Sequence, residues 1–286
     1  MPDTPNMALY DPRVCQLGEG PLWHPERVQL FWFDIIGKRL LSRDASGLLE
    51  WQFDEHVSAA GWVDHDRLVI ASETALLLFD LATGRRDDLV PLEADDRMTR
   101  SNDGRADPWG GFWIGTMGKR AEPVAGAIYR YFEGRLEKVA RHVTIPNAIC
   151  FSPDRQFAYF ADTAERQILR QALGPEGWPD GEAEVFIDLR EEALNPDGAV
   201  VDAEGCLWNA QWGAYRVARY APDGQFLSSV SFPAAQVSCP AFGGSDLQTL
   251  YVTTATEDLD QVGSEDGATL MARPGIKGRA EYRVNP

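Results

Sequence analysis

A short apolar strand with aromatic residues recurs six times along the 286-residue chain, and this repeat limits the folds that the chain can form. The spacings between successive copies are 37, 44, 46, 49 and 43 residues when the copies are marked at Trp32, Val69, Trp113, Tyr159, Trp208 and Tyr251. A turn sequence precedes each marker, and in most copies a second strand and turn follow it. This is the length and pattern of one four-stranded propeller blade. We therefore predict an all-β fold, a six-bladed β-propeller that spans residues 1–286 as a single domain.

Other all-β forms are the alternative to a propeller. An open sandwich or a row of separate small domains would need linkers, and no linker-like segment separates the six copies. A closed ring also requires one terminus to complete the last blade. We expect the segment near Leu9 to Cys15 to supply that strand.

Charge and cysteine usage limit the partners and the compartment. The formal net charge is −17, which repels phosphate backbones and anionic lipids, so neither nucleic acid nor membrane is an expected partner. Met1 to Tyr10 has no basic region followed by an apolar run, and the four cysteines lie far apart. A cytoplasmic protein with reduced thiols is predicted, and we expect a monomer.

Aligning the copies on the turn before each marker identifies residues that face the channel. Equal register in a propeller means equal height, so residues five positions before the turns meet at one mouth. These residues are Glu19, Ala59, Asn102, Asn147, Asp197 and Cys239. Four of them carry oxygen, two are carboxylates, and no Lys or Arg shares their register. A divalent cation on the axis is the simplest compensation for the buried negative charge. The alternative is a polar, water-filled channel without an ion.

Motifs at these positions resemble those of the regucalcin/gluconolactonase family of sugar lactonases. They follow the family's order over nearly the whole chain and include Gly18-Glu19-Gly20-Pro21, Arg100-Ser101-Asn102-Asp103-Gly104, Gly115-Thr116-Met117, Pro146-Asn147, Pro196-Asp197-Gly198 and Cys239-Pro240-Ala241-Phe242-Gly243-Gly244. The resemblance implies a six-bladed propeller with a metal in the central channel.

The resemblance also implies roles for five residues. Glu19, Asn147 and Asp197 match the family's metal ligands, and Arg100 and Asn102 match its substrate-binding residues. The metal is one divalent cation. Oxygen ligands favour Ca²⁺, and Zn²⁺, Mn²⁺, Mg²⁺ or Fe²⁺ are the alternatives.

One departure from the family pattern concerns the residues after Gly-Thr-Met. Animal members carry an acidic substrate contact there, whereas this chain has the basic residues Lys119 and Arg120. We expect the substrate or its stereochemistry to differ accordingly.

The predicted activity is metal-dependent hydrolysis of a sugar lactone to the aldonic acid, with Asp197 as the general base. Another metal-dependent esterase or phosphotriesterase on the same scaffold is the first alternative, and a non-catalytic calcium-binding propeller is the second. The sequence does not identify the sugar.

Several polar and aromatic residues receive structural interpretations. The four histidines show no paired spacing and are interpreted as surface or turn residues. The acidic segment from Glu257 to Asp260 is interpreted as a solvated loop. Most Trp residues are assigned to the core, with Trp109 and Trp212 as exceptions because they lie near turns.

Overall fold

The fold is a six-bladed β-propeller, described here from a computed structural model for residues 7–286. Its 24 strands form six antiparallel sheets of four strands each. The first twelve strands are β1 (Ala8–Asp11), β2 (Gly18–His24), β3 (Gln29–Asp34), β4 (Arg39–Asp44), β5 (Gly47–Gln52), β6 (Val57–Asp64), β7 (Arg67–Ser72), β8 (Ala75–Asp80), β9 (Arg86–Pro91), β10 (Thr99–Ala106), β11 (Phe112–Gly118) and β12 (Gly126–Phe132). The others are β13 (Arg135–Val143), β14 (Pro146–Phe151), β15 (Phe157–Asp162), β16 (Gln167–Ala172), β17 (Glu184–Asp188), β18 (Asn195–Val201), β19 (Leu207–Trp212), β20 (Arg216–Tyr220), β21 (Phe226–Ser231), β22 (Gln236–Gly243), β23 (Thr249–Ala255) and β24 (Thr269–Ala272).

The sheets confirm the predicted repeat. Blades 1 to 5 are β2–β5, β6–β9, β10–β13, β14–β17 and β18–β21, each in chain order from the innermost strand outwards. The six apolar marker strands are the second strands of the blades, from β3 to β23. That residues 1–286 form a single domain stays a prediction, since residues 1–6 lie outside the described part of the chain.

Blade 6 closes the ring with a strand from the N-terminal region. Its order is β22-β23-β24-β1, and Ala8 pairs with Met271 across the outermost ladder. The sequence predicted this closure but extended the strand to Cys15. The strand ends at Asp11 because Pro12 follows it, and proline has no backbone N–H to donate to a ladder.

The core lies between the blades. Among the described residues there are six clusters of buried apolar side chains, one at each interface between neighbouring blades. The second strands are covered on both faces, so Trp32, Trp113 and Trp208 are at most 1% exposed. Outer strands such as β5 and β21 are largely exposed. Burial on both faces explains why the marker strands are continuous apolar runs.

The C-terminal segment, residues 273–286, crosses the end of the channel where the inner strands finish. The backbone of this segment forms hydrogen bonds with residues near the turns that follow the inner strands of blades 5, 6, 2 and 3. The four bonds are Ala203 N to Lys277 O, Gly278 N to Leu247 O, Val284 N to Trp62 O and Asn285 N to Gly110 O. The other mouth carries the candidate site.

Candidate functional site

A β-bulge sets the direction of each predicted axial side chain. The pairing of the inner strands shifts register between Glu19 and Leu22, Ser101 and Gly104, Asn147 and Cys150, and Pro196 and Ala199. A bulge adds an unpaired residue and re-aims the neighbouring side chains, and such irregularities are common beside active sites. The four bulges lie at matching positions near the start of the inner strands of blades 1, 3, 4 and 5.

Two of these bulges require a left-handed backbone. Gly20 has φ +54° and Ala148 has φ +58°. A Cβ at position 20 would lie 2.2 Å from the carbonyl oxygen of Ser58, so only glycine fits there. The close approach of blades 1 and 2 at this point explains the glycine after Glu19.

Glu19 and Asp197 are buried carboxyls that make no ion pair with any side chain in residues 7–286. They are 6% and 5% exposed, and Glu19 Oε2 accepts a 3.0 Å hydrogen bond from the Gly20 amide. Burial, and then the negative charge of Asp103, raise the pKa of Glu19 to about 8. Burial and the charge of Glu19 raise the pKa of Asp197 well above its usual range. The mouth of the channel therefore concentrates negative charge without a bonded cationic partner.

The Asn147 amide is oriented by a chain of hydrogen bonds. Thr163 Oγ1 lies 2.7 Å from the Pro196 carbonyl oxygen, which can only accept, so the hydroxyl donates there. The same hydroxyl then accepts from Asn147 Nδ2 at 2.8 Å. Asn102 Nδ2 donates to Asn147 Oδ1 at 3.0 Å, and one lone pair of that oxygen stays available to a further partner.

Arg100 is a buried cation beside the carboxyls. It is 5% exposed, and its Nη1 donates to Ser101 O at 2.9 Å and to Asn102 Oδ1 at 2.8 Å. Its Nε has no acceptor, and no described residue accepts a hydrogen bond from its Nη2. Burial lowers the pKa of Arg100, and Glu257 and Glu19 act in the opposite direction. The guanidinium therefore keeps donors for a ligand.

A cavity of about 390 Å³ brings all five predicted site residues together. It is lined by Leu17, Glu19, Arg100, Asn102, Met117, Lys119, Arg120, Ala121, Ile145, Asn147, Thr163, Asp197, Trp212, Glu257 and Asp258. Lys119 and Arg120 lie on its rim, and Lys119 Nζ is paired with Glu73. The volume suits a small polar ligand.

The structure corrects two interpretations of the sequence. The segment that begins at Glu257 is not simply solvated, because Glu257 is half-buried in the cavity wall and burial raises its pKa. His24 ends β2 and is fully buried, with Nε2 2.9 Å from Asp64 O, so it is not a surface residue. His56, which bonds to Glu73, lies in the connection between β5 and β6, as interpreted. Of the two exceptional tryptophans, Trp212 lines the cavity.

Thr163 and Glu257 are cavity residues that the sequence did not indicate. Thr163 begins a single 3₁₀ turn after β15, and Glu257 follows β23. Both lie outside the inner strands, so repeat register carries no signal for them.

The donor chemistry of Glu19, Asn147 and Asp197 fits a hard divalent cation. Two buried carboxylates need positive charge, and an oriented amide oxygen supplies a third ligand of the same kind. In residues 7–286, no group of three or more His, Cys, Asp and Glu side chains is placed to hold a metal. A cation at this mouth would therefore need the Asn147 amide oxygen as a ligand beside the two carboxylates.

Comparisons with known proteins agree with this architecture. Residues 17–256 match the model of the SMP-30/gluconolactonase/LRE-like region. The L-arabinolactonase of Azospirillum brasilense is 38% identical, with 93% of this chain and 91% of that protein covered. The 6-deoxy-6-sulfogluconolactonase of Pseudomonas putida is 32% identical, with 98% of each covered. The crystal structure of a calcium-binding protein, regucalcin from Agrobacterium tumefaciens, superimposes with a TM-score of 0.94 at 38% identity and covers 97% of each chain. This chain belongs to the SMP-30/gluconolactonase/LRE-like family.

Proposed function

We propose that this protein hydrolyses a sugar lactone to its aldonic acid in the cavity at the mouth of the propeller channel. The observation that carries the proposal is the buried pair Glu19 and Asp197, which has no bonded cationic partner within residues 7–286 and lies beside the donors of Arg100. Relatives named for L-arabinolactone and 6-deoxy-6-sulfogluconolactone support lactones as the substrate class.

The proposed cofactor is one divalent cation held by Glu19, Asn147 and Asp197. When bound, it supplies a Lewis acid that polarises the ester carbonyl and lowers the pKa of water. Oxygen ligands favour Ca²⁺, and the structural neighbour described as calcium-binding supports that choice. Zn²⁺, Mn²⁺, Mg²⁺ and Fe²⁺ are the alternatives to be tested.

Side chains of the cavity transfer the proton and hold the substrate. Asp197 accepts a proton from the water whose oxygen attacks the lactone carbonyl carbon. The bond between that carbon and the ring oxygen then breaks, and the proton passes to the ring oxygen, which becomes a hydroxyl. Arg100 and Asn102 hold the substrate, with Arg100 Nη2 as a donor to a carbonyl or hydroxyl oxygen. Glu19 and Asn147 would hold the cation together with Asp197.

The rim residues Lys119 and Arg120 are candidates for determining the substrate specificity. Lys119 is held by Glu73, whereas the exposed Arg120 makes no ion pair among the described residues. We propose that this basic rim contacts the end of the substrate away from the carbonyl. The positive charge of this rim is opposite to the charge of the acidic substrate contact in the animal members, so we expect a different sugar or a different stereochemistry.

A substrate panel on metal-depleted protein tests the proposal. Protein treated with a chelator is assayed against pentono- and hexonolactones, aryl esters and phosphotriesters, with each cation added back in turn. We expect lactone hydrolysis that returns with one or more cations, and a loss of about 10²–10⁴-fold in kcat for Asp197→Asn. Activity on the aryl esters or phosphotriesters alone would indicate a different hydrolase. Cation binding with no turnover would indicate a calcium-binding propeller.

A further inference from the structure

A second layer of buried charge lies below the candidate centre, further along the channel. Asp103, Arg105 and Glu281 are 4%, 8% and 9% exposed. Asp103 and Arg105 follow Asn102 on β10, and Glu281 belongs to the C-terminal segment. The proposed reaction uses none of the three.

Arg105 bonds to both inner strands that carry the proposed ligands Asn147 and Asp197. Its Nε donates to Ile149 O at 3.2 Å, and its Nη2 donates to Ala199 O at 3.0 Å. Each acceptor lies two residues after its ligand: Ile149 lies within the bulge that follows Asn147, and Ala199 is the first paired residue after the bulge that contains Asp197. The guanidinium thus ties β10, β14 and β18 together immediately below the ligand level.

Glu281 completes this arrangement from the C-terminal segment. Its carboxylate bonds to Arg105 Nη1, and its carbonyl oxygen accepts a 2.9 Å bond from Trp62 Nε1. Val284, which is fully buried, adds a backbone bond to Trp62. Glu281 is the carboxylate that pairs with the buried Arg105 guanidinium, so its loss would remove that ion pair and weaken the hold on the orientation of Arg105.

We propose that Arg105, held by Glu281, is a positioning residue that fixes the spacing of Asn147 and Asp197 and thereby sets the affinity of the axial site for its cation. The C-terminal segment is then part of the active-site scaffold. This inference rests on the proposed function, because the quantity that Arg105 controls is cation binding.

The test measures cation affinity separately from stability. Full-length wild type, Arg105→Lys and Glu281→Gln are titrated with CaCl₂ and MnCl₂ by isothermal calorimetry, and Tm is recorded for each. Arg105→Lys keeps the positive charge, but an ammonium group cannot reach Ile149 O, Ala199 O and Glu281 at the same time as the guanidinium does. We expect the Kd to weaken by about 10–100-fold, the range found when groups that orient metal ligands are lost. Glu281→Gln keeps the side-chain shape and serves as the independent variant if Arg105→Lys folds poorly.

Arg130→Lys is the matched control. Arg130, on the third strand of blade 3 and away from the axis, forms a fully buried ion pair with Asp107 at 2.6 Å. We expect a lower Tm with a Kd within about twofold of wild type. If Arg105→Lys and Glu281→Gln lower Tm but leave the Kd unchanged, the positioning role is wrong while the proposed function stands. If the wild type binds neither cation, Mg²⁺, Zn²⁺ and Fe²⁺ are titrated in the same way. Binding of none of the five contradicts the proposed function, and the positioning role fails with it.

Discussion

The pH dependence of stability without metal follows directly from the burial of Glu19. The pKa of this carboxyl is about 8 in the folded chain, compared with 4.5 for an ordinary glutamate. The folded state therefore binds the proton more tightly than the unfolded state does. Protonation of Glu19 therefore stabilises the folded state. This contribution to the free energy of unfolding is complete below pH 4.5 and is lost as the pH rises through 8.

The magnitude can be worked from these two values. At about 1.4 kcal/mol per pH unit, the whole interval corresponds to a loss on the order of 5 kcal/mol, of which about 2 kcal/mol falls between pH 6.5 and 8. The range from pH 6.5 to 8 is the one to measure, because Glu19 titrates there and His24 and His56 do not. The lowered pKa values of His24 and His56 make stability rise with pH only up to about 6.5. For a chain of this size, 2 kcal/mol corresponds to about 4 °C in Tm.

The assay is thermal unfolding of chelator-treated protein at pH 6.5, 7, 7.5 and 8, at constant ionic strength. Tm should fall by about 4 °C across the series, and the fall should be steeper if Asp197, whose pKa is also raised, titrates in the same window. Glu19→Gln is the control, because a neutral amide does not titrate and the slope should flatten. Saturating Ca²⁺ should raise Tm most at pH 8, since cation and proton compete for the same oxygens. A Tm that is constant or rises from pH 6.5 to 8 without metal would refute the electrostatic reasoning.

Two substitutions test the local geometry of the site. Gly20→Ala should lower the free energy of unfolding by about 1–3 kcal/mol in urea denaturation, because φ +54° is strained for alanine and the new Cβ would meet Ser58 O; an unchanged midpoint would contradict the close approach of the two blades. Thr163→Val removes the hydroxyl that orients the Asn147 amide, so the Kd for Ca²⁺ should rise by about 10–100-fold with a small change in Tm. Thr163→Ser keeps the hydroxyl and should retain wild-type affinity, and equal Kd values for the two variants would exclude this orienting role.

The sequence predicted the ring and the axial residues because both follow from repetition. Six copies of one strand pattern determine the blade number, and equal register places Asn102 and Asp197 at equal height without knowledge of any loop. The apolar continuity of strands such as β11 follows from burial on both faces.

Residues outside the repeat could not be predicted in this way. Thr163 and Glu257 reach the cavity from connections between strands, and Glu281 reaches the channel from a segment that belongs to no blade. Ala148 adopts a left-handed backbone without the glycine that usually signals one. Their positions depend on tertiary packing. The cytoplasmic location and the monomeric state stay predictions, and no helix within residues 7–286 is long and apolar enough to cross a membrane.

The most direct test of the proposed centre is a crystal grown with Mn²⁺ and measured for anomalous scattering. We predict one strong anomalous peak on the propeller axis, within coordination distance of oxygens from Glu19, Asn147 and Asp197. A peak elsewhere, or only water between these three side chains at saturating Mn²⁺, would contradict the assignment.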